Sequence, residues 1–225
     1  MNKALACHCE PKAKPGHEIG CVLALDFKHK DGDSFMSDDV YGHLCTNHGS
    51  RWQLDGRYFD GVDALVSIPD APSLKFGTGD FTSEVSVKTT QMAPSGAYPI
   101  YLAKDDEGAP RSGWTIYQAA DNNRAIFAIF SGGTQAAAAS TFAANDGKQH
   151  RLVGLKQRTK IDLFADTQII ATANHSLGST DKAVPVEIGN KAGVANRQFK
   201  GLVSTAQVHN FADYAPRILS RSIGG

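Results

Sequence analysis

The sequence predicts an all-β protein: an antiparallel two-sheet sandwich preceded by a polar N-terminal arm. Three observations carry this. Apolar residues recur at alternate positions in short runs, the pattern of half-buried strands rather than helices. Gly, Pro, Asp and Asn separate these runs and supply turns. The 225 residues, 41% hydrophobic and 20% charged, suffice for one large sandwich and are few for two domains.

Cys21 to Phe27 reads as the first strand, with Cys21, Leu23, Leu25 and Phe27 on one face. Phe81 to Lys88 alternates well, Val85 and Val87 opposing Glu84, Ser86 and Lys88. Tyr98 to Ala103, Trp114 to Ala119 and Arg124 to Phe130 follow, the last two joined by an Asp121-Asn122-Asn123 turn. Ala136 to Ala139 reads as a strand of small residues. Gln149 to Lys156, Lys160 to Ala165, Gln168 to Ala173, Pro185 to Gly189 and Leu202 to His209 complete the set. Ala71 to Leu74 fits a single helical turn, and Ala212 to Ser222 a short helix or an extended tail. The organisation expected is an arm over 1–20, a sandwich over 21–211 and a tail over 212–225.

Composition excludes some functions. Basic and acidic residues balance at 23 each, so nothing points to a nucleic-acid partner. No apolar run approaches the roughly 18–20 residues of a membrane span. Residues 1–20 lack the apolar stretch of a secretory signal and carry Pro11 and Pro15. The arm is therefore expected to serve assembly, docking on a neighbouring subunit or a particle.

Cys7, Cys9, Cys21 and Cys45 crowd into the first fifth of the chain, near His8, His17, His43 and His48. Free thiols, two disulfides and a zinc site all remain open. The spacing is not the paired Cys-x-x-Cys of zinc sites. Cys21, within an alternating run, reads as a buried strand residue.

Several segments, in order, resemble the laminin-G-like branch of the concanavalin A-like jelly-roll superfamily. Phe59-Asp-Gly-Val-Asp-Ala-Leu-Val-Ser-Ile-Pro-Asp70 is similar to its first strand pair. Gly79-Asp-Phe-Thr82, Asn145 to His150, Lys160 to Asp166 with Ile169 to Thr172, Ile188-Gly189-Asn190 and Phe199 to Asn210 resemble its later motifs. The resemblance implies a jelly roll of two curved antiparallel sheets. Three positions depart from the family pattern. Gln149 stands where the family has Trp, Asp166-Thr167 replaces an Asp-Gly hairpin, and Ser204-Thr205 replaces acids that help hold a structural calcium in many members. Asp26, Asp60 and Asp63 remain as weak candidates for calcium oxygen donors, and turn capping is the favoured explanation.

The candidate glycan contacts are the two tryptophans, Trp52 and Trp114. Trp52 falls in a loop-rich stretch, whereas Trp114 alternates with Ile116 and suits core packing. Catalysis finds little support. The paired carboxylates of a glycosidase are missing, and Glu84 stands alone on its strand. His150 and Asp146 have no Gly-x-Ser-x-Gly serine to complete a triad. Asp31-Gly-Asp-Ser34 opens like a calcium loop but lacks its central Gly and terminal Glu.

The expectation is a non-enzymatic structural or adhesive protein. A bacteriophage virion component, a head decoration or tail fibre, fits best, because it assembles in the host cytoplasm and needs no export signal. Its partners would be other virion proteins or copies of itself, with a cell-surface glycan as ligand. A free-standing extracellular lectin is the alternative, and a glycoside hydrolase of the same fold the weakest.

Overall fold

A computed structural model describes residues 20–212. The expectations for the arm, for Cys7 and Cys9 and for the C-terminal tail fall almost wholly outside the described residues. The strands are β1 (Cys21–Asp26), β2 (Ser34–Met36), β3 (Leu44–His48), β4 (Arg51–Gln53), β5 (Gly56–Asp60), β6 (Leu65–Ile68), β7 (Phe81–Lys88) and β8 (Ile100–Asp105). They continue with β9 (Gly113–Gln118), β10 (Arg124–Ser131), β11 (Thr134–Ala143), β12 (Gln149–Gln157), β13 (Lys160–Ala165), β14 (Gln168–Asn174), β15 (Val186–Ile188) and β16 (Lys200–His209). Single 3-10 turns span Phe27–His29 and Pro72–Leu74.

Two antiparallel sheets of eight strands form the jelly-roll sandwich. The first runs β14-β13-β12-β7-β16-β5-β4, with β1 also paired to β16. The second runs β11-β10-β9-β8-β15-β6-β3-β2. Strand β16 pairs with β1, β5 and β7 and so ties the N-terminal strands to the centre.

The alternation in sequence becomes the core. Phe81, Val85 and Val87 face inward from β7 beside Leu152 of β12, and Trp114, Ile116, Phe127 and Ile129 face them from the second sheet. The Phe81 ring bridges the sheets, 5.7 Å from Trp114 and 6.2 Å, edge-on, from Phe127. Each such aromatic, fully buried, contributes about 1.5–3 kcal/mol. Val153, Leu155 and Phe164 point the other way and form a smaller buried cluster with Ala212 on the outer face of the first sheet.

Most strands read from alternation are present within a residue or two at each end. Ala136 to Ala139 lies inside β11, and the expected helical turn is the one at Pro72–Leu74. Asn123 and Asp166 take the left-handed conformation, φ 56° in each, at their hairpin turns. That explains how Asp166-Thr167 replaces an Asp-Gly pair, since Asp tolerates this region better than most residues. Alternation did not reveal β2, β3 and β4. They are three to five residues long, and apart from the buried Cys45 their side chains are exposed or half-buried, which leaves no apolar stripe. Trp52 accordingly sits in β4 rather than in a loop.

Candidate binding site on the outer face of the second sheet

Because Trp114 and Ile116 point into the core, Thr115 and Tyr117 must point out of the second sheet. Opposite them in the ladders, Ala128 faces Thr115 and Ile100 faces Tyr117. Small or aliphatic neighbours at these places leave a hollow of about 210 Å³. Tyr98, Ile100, Glu107, Arg111, Thr115, Tyr117, Phe130, Gln135 and Arg197 line it.

Two loops bring the charged groups over the sheet. Segment 190–199 hydrogen-bonds alongside residues 98–100, through Tyr98 N–H to Asn196 O and Ile100 N–H to Arg197 O. This places the Arg197 guanidinium 5.3 Å from the centre of the Tyr98 ring. The loop between β8 and β9 rests on the β10–β11 turn, where Gly133 N–H donates to Arg111 O at 2.8 Å. Arg111 thereby lies over Phe130, 3.7 Å from the ring centre. Such cation–π stacking fixes a guanidinium plane as well as holding it.

Glu107 joins the two arginines. Arg197 donates to it from Nε at 2.6 Å and from Nη2 at 2.5 Å, and Arg111 Nη2 lies 3.6 Å away. Burial pushes the Glu107 carboxyl up, but Arg197 outweighs it and, with Arg111, holds the group below the usual carboxylate range. The hydrogen bond to Glu107 raises Arg197 in turn, against the effect of burial. Arg111 gives Nε and Nη2 to Asp105, which is fully buried and also paired with Lys191. Its remaining nitrogen, Nη1, makes no hydrogen bond with the described residues. Tyr98 and Tyr117 meet edge to face at 6.0 Å. The Thr115 hydroxyl is buried and unpartnered, a costly arrangement at the floor of a hollow. A wider depression of about 570 Å³ lies on the same face beyond segment 190–198, with His48, Asp63, Ser67, Glu187 and Asn190 in its wall.

The residues singled out from sequence do not meet here. Trp114 is 1% exposed and packs on Phe81, which withdraws it as a glycan contact. Trp52 is 41% exposed, donates Nε1–H to Lys28 O at 3.0 Å, and belongs to the first sheet. Asp26 accepts from Lys28 N–H at 3.2 Å, and Asp60 from Val62 N–H at 2.8 Å and Ala64 N–H at 3.4 Å, so both cap turns. Asp63 lines the wider depression. Among the described residues no group of three or more His, Cys, Asp or Glu gathers as a metal site. Cys21 is buried and donates to Leu23 O. Cys45 is a free buried thiol pushed up to about 12 by burial and then by Asp39, which keeps it protonated. Glu84 is engaged by Arg151 through two 2.6 Å bonds. Both ring nitrogens of His150 face carboxylates, Asp166 and Asp146, each at 3.0 Å.

Tyr98, Glu107, Arg111, Thr115, Tyr117 and Arg197 were not singled out from sequence. They span a hundred residues without a motif. The one usable signal was alternation itself: a buried Trp114 obliges Thr115 and Tyr117 to share the outer face.

Comparison with known proteins agrees with this architecture. The binding domain of Paraclostridial mosquitocidal protein 1 superposes with a TM-score of 0.71 at 10% identity, over 90% of this chain and 52% of that one. The binding domain of botulinum neurotoxin DC in complex with SialylT gives 0.69 at 10% identity, over 91% and 51%. Trypanosoma rangeli sialidase in complex with sialic acid gives 0.66 at 16%, over 91% and 32%. The chain thus spans about half or less of each, and identities this low establish fold alone. No curated protein matches the sequence. A family model matches residues 60–218, and the chain belongs to the concanavalin A-like lectin/glucanases superfamily.

Proposed function

We propose that this protein is a non-enzymatic glycan-binding module whose site is the hollow over β8, β9 and β10. The observation that carries the reading is the pairing of exposed Tyr98 with fixed guanidiniums above the unpartnered Thr115 hydroxyl. Aromatic faces take the apolar side of a sugar ring, and oriented polar groups take its hydroxyls. Glu107 is the one carboxylate in the lining, and it is neutralised by arginine, which leaves no pair of carboxylates for two-carboxylate glycosidic cleavage. Two of the superposing structures are complexes, one with SialylT and one with sialic acid, which supports looking for a sugar. The test is a glycan array probed with the wild type and with Tyr98→Ala. Binding lost in the variant supports the site. Unchanged binding moves it elsewhere, and release of reducing sugar would restore an enzymatic reading.

A second reading concerns where the module is carried. Met36 and Leu44 are exposed on β2 and β3, and Trp52 and Leu54 on or beside β4. These strands close the sheet ends remote from β9 and β10. Attachment through that side would leave the hollow facing outward, as a virion adhesin requires. Cross-linking of the protein within purified particles, mapped to residues 36–54, tests it.

A further inference from the structure

We propose that the hollow selects a sugar bearing a carboxylate, held by the free Nη1 edge of Arg111 and the Thr115 hydroxyl. This rests on the glycan-binding reading and narrows it to one ligand chemistry.

The argument is a balance of donors and acceptors. Arg111 and Arg197 each carry a positive charge into the lining; Glu107 balances Arg197 and the buried Asp105 balances Arg111, so what the lining offers is an unused donor edge rather than surplus charge. Glu107 is already the acceptor for two Arg197 bonds and lies 3.6 Å from Arg111. Arg197 is nearly spent, since its Nη1 donates to Asn196 O. Arg111 is not: Asp105 takes Nε and Nη2, leaving the Nη1 pair of N–H groups. Its side chain is 28% exposed and its plane is fixed by Phe130, so the unused edge needs little ordering to bind. Thr115 adds an O–H that has no acceptor, although the residue is only 2% exposed. A lining with surplus N–H and O–H, floored by a buried unsatisfied hydroxyl, suits an acceptor-rich group such as a carboxylate. Guanidinium–carboxylate contacts are among the stronger hydrogen bonds available. The tyrosine pair, Tyr98 above all, offers apolar surface for the ring that carries the carboxylate.

The experiment is titration calorimetry of the full chain with N-acetylneuraminic acid and with glucuronic acid, each alongside its methyl ester. The acids are expected to bind, and esterification to weaken binding on the order of tenfold or more, as expected when a charged hydrogen bond is lost. Which acid binds better identifies the source of the carboxylate. Arg111→Lys should weaken binding of the acid but not of the ester. Thr115→Val should do so while keeping or raising the melting temperature, because it removes an unpaired buried hydroxyl; it therefore serves where an arginine variant folds poorly. Equal binding of acid and ester overturns the carboxylate while leaving a glycan site in place. Binding of neutral array glycans alone has the same consequence. No binding by any sugar overturns both readings.

Discussion

Gln149 donates from Nε2 to the Ser204 hydroxyl at 2.8 Å, joining β12 to β16 across β7. Both residues are departures from the family pattern. Beside them Thr205 donates to Ser86 Oγ at 3.0 Å. Where related chains place acids that help hold calcium, this chain has neutral side chains bonded to one another. Calcium would therefore gain no carboxylate here. Adding 5 mM-range calcium or a chelator is expected to shift the melting temperature by under about 1 °C, because a ligand stabilises only by binding the folded state. A rise of several degrees, abolished by Asp60→Asn, would contradict this and locate a site.

Gly154 is glycine for reasons of space. A Cβ there would fall 2.4 Å from the Phe127 ring, across the sandwich from β12 to β10. Its backbone is not left-handed, so the restriction is packing alone. Gly154→Ala is expected to cost about 1–3 kcal/mol, the usual effect of overpacking. Phe127→Leu in the same chain should recover part of that loss, whereas Phe127→Leu alone should destabilise. Denaturant midpoints of the two single variants and the double variant give the coupling. Additive losses would mean that the two residues do not share this space.

These contacts mark what was legible in the sequence. The apolar runs allow β1, β7, β9, β10, β12 and β16 to be read as strands but do not give their burial, which is nearly continuous along β1 and β7. Alternation does not place Phe127 or Gly154, because β10 is apolar on both faces and a glycine carries no apolar signal. Nor does it state that they meet, because contacts between sheets depend on how the sheets stack. The short strands β2, β3 and β4 escape because they are three to five residues long and, Cys45 apart, bury little. The site escaped for a related reason. Tyr98, Arg111 and Arg197 come from loops, and only the folded sheet brings them together. The tryptophans drew notice by rarity, which is a poor guide to exposure: one fills the core and the other lies on the far sheet.

His150 is held between Asp166 on Nδ1 and Asp146 on Nε2, pinning two turns to the start of β12. Burial pushes its pKa down, but the hydrogen bonds and charges of Asp166 and Asp146 outweigh this and raise it above the ordinary value. A group raised on folding stabilises most when protonated. The contribution should be complete below about pH 6.5, the unfolded value, and fade as pH rises through the higher folded value. Melting temperatures of wild type and His150→Gln, measured from about pH 5.5 to 9, should differ most at the acid end and converge toward the alkaline end. A difference that is constant with pH, or that widens toward pH 9, would show that the charge of His150 has no such role.

Trp114 and Trp52 should behave as two separable fluorophores. Trp114 is 1% exposed and packed on Phe81. Trp52 is 41% exposed, and its indole N–H is held by Lys28 O. Acrylamide should quench only part of the native emission, giving a downward-curving plot, and Trp52→Phe should remove the quenchable part. Trp114→Ala should cost about 3–5 kcal/mol by opening a cavity between the sheets. Trp52→Ala should cost far less, because most of what it loses is one surface hydrogen bond and a partly exposed ring. Neither ring lines the hollow, so sugar binding there should leave the emission of both largely unchanged. A ligand-induced blue shift that persists in Trp114→Phe and vanishes in Trp52→Phe would instead return the binding site to β4, and the case for Tyr98, Arg111 and Thr115 would fall with it.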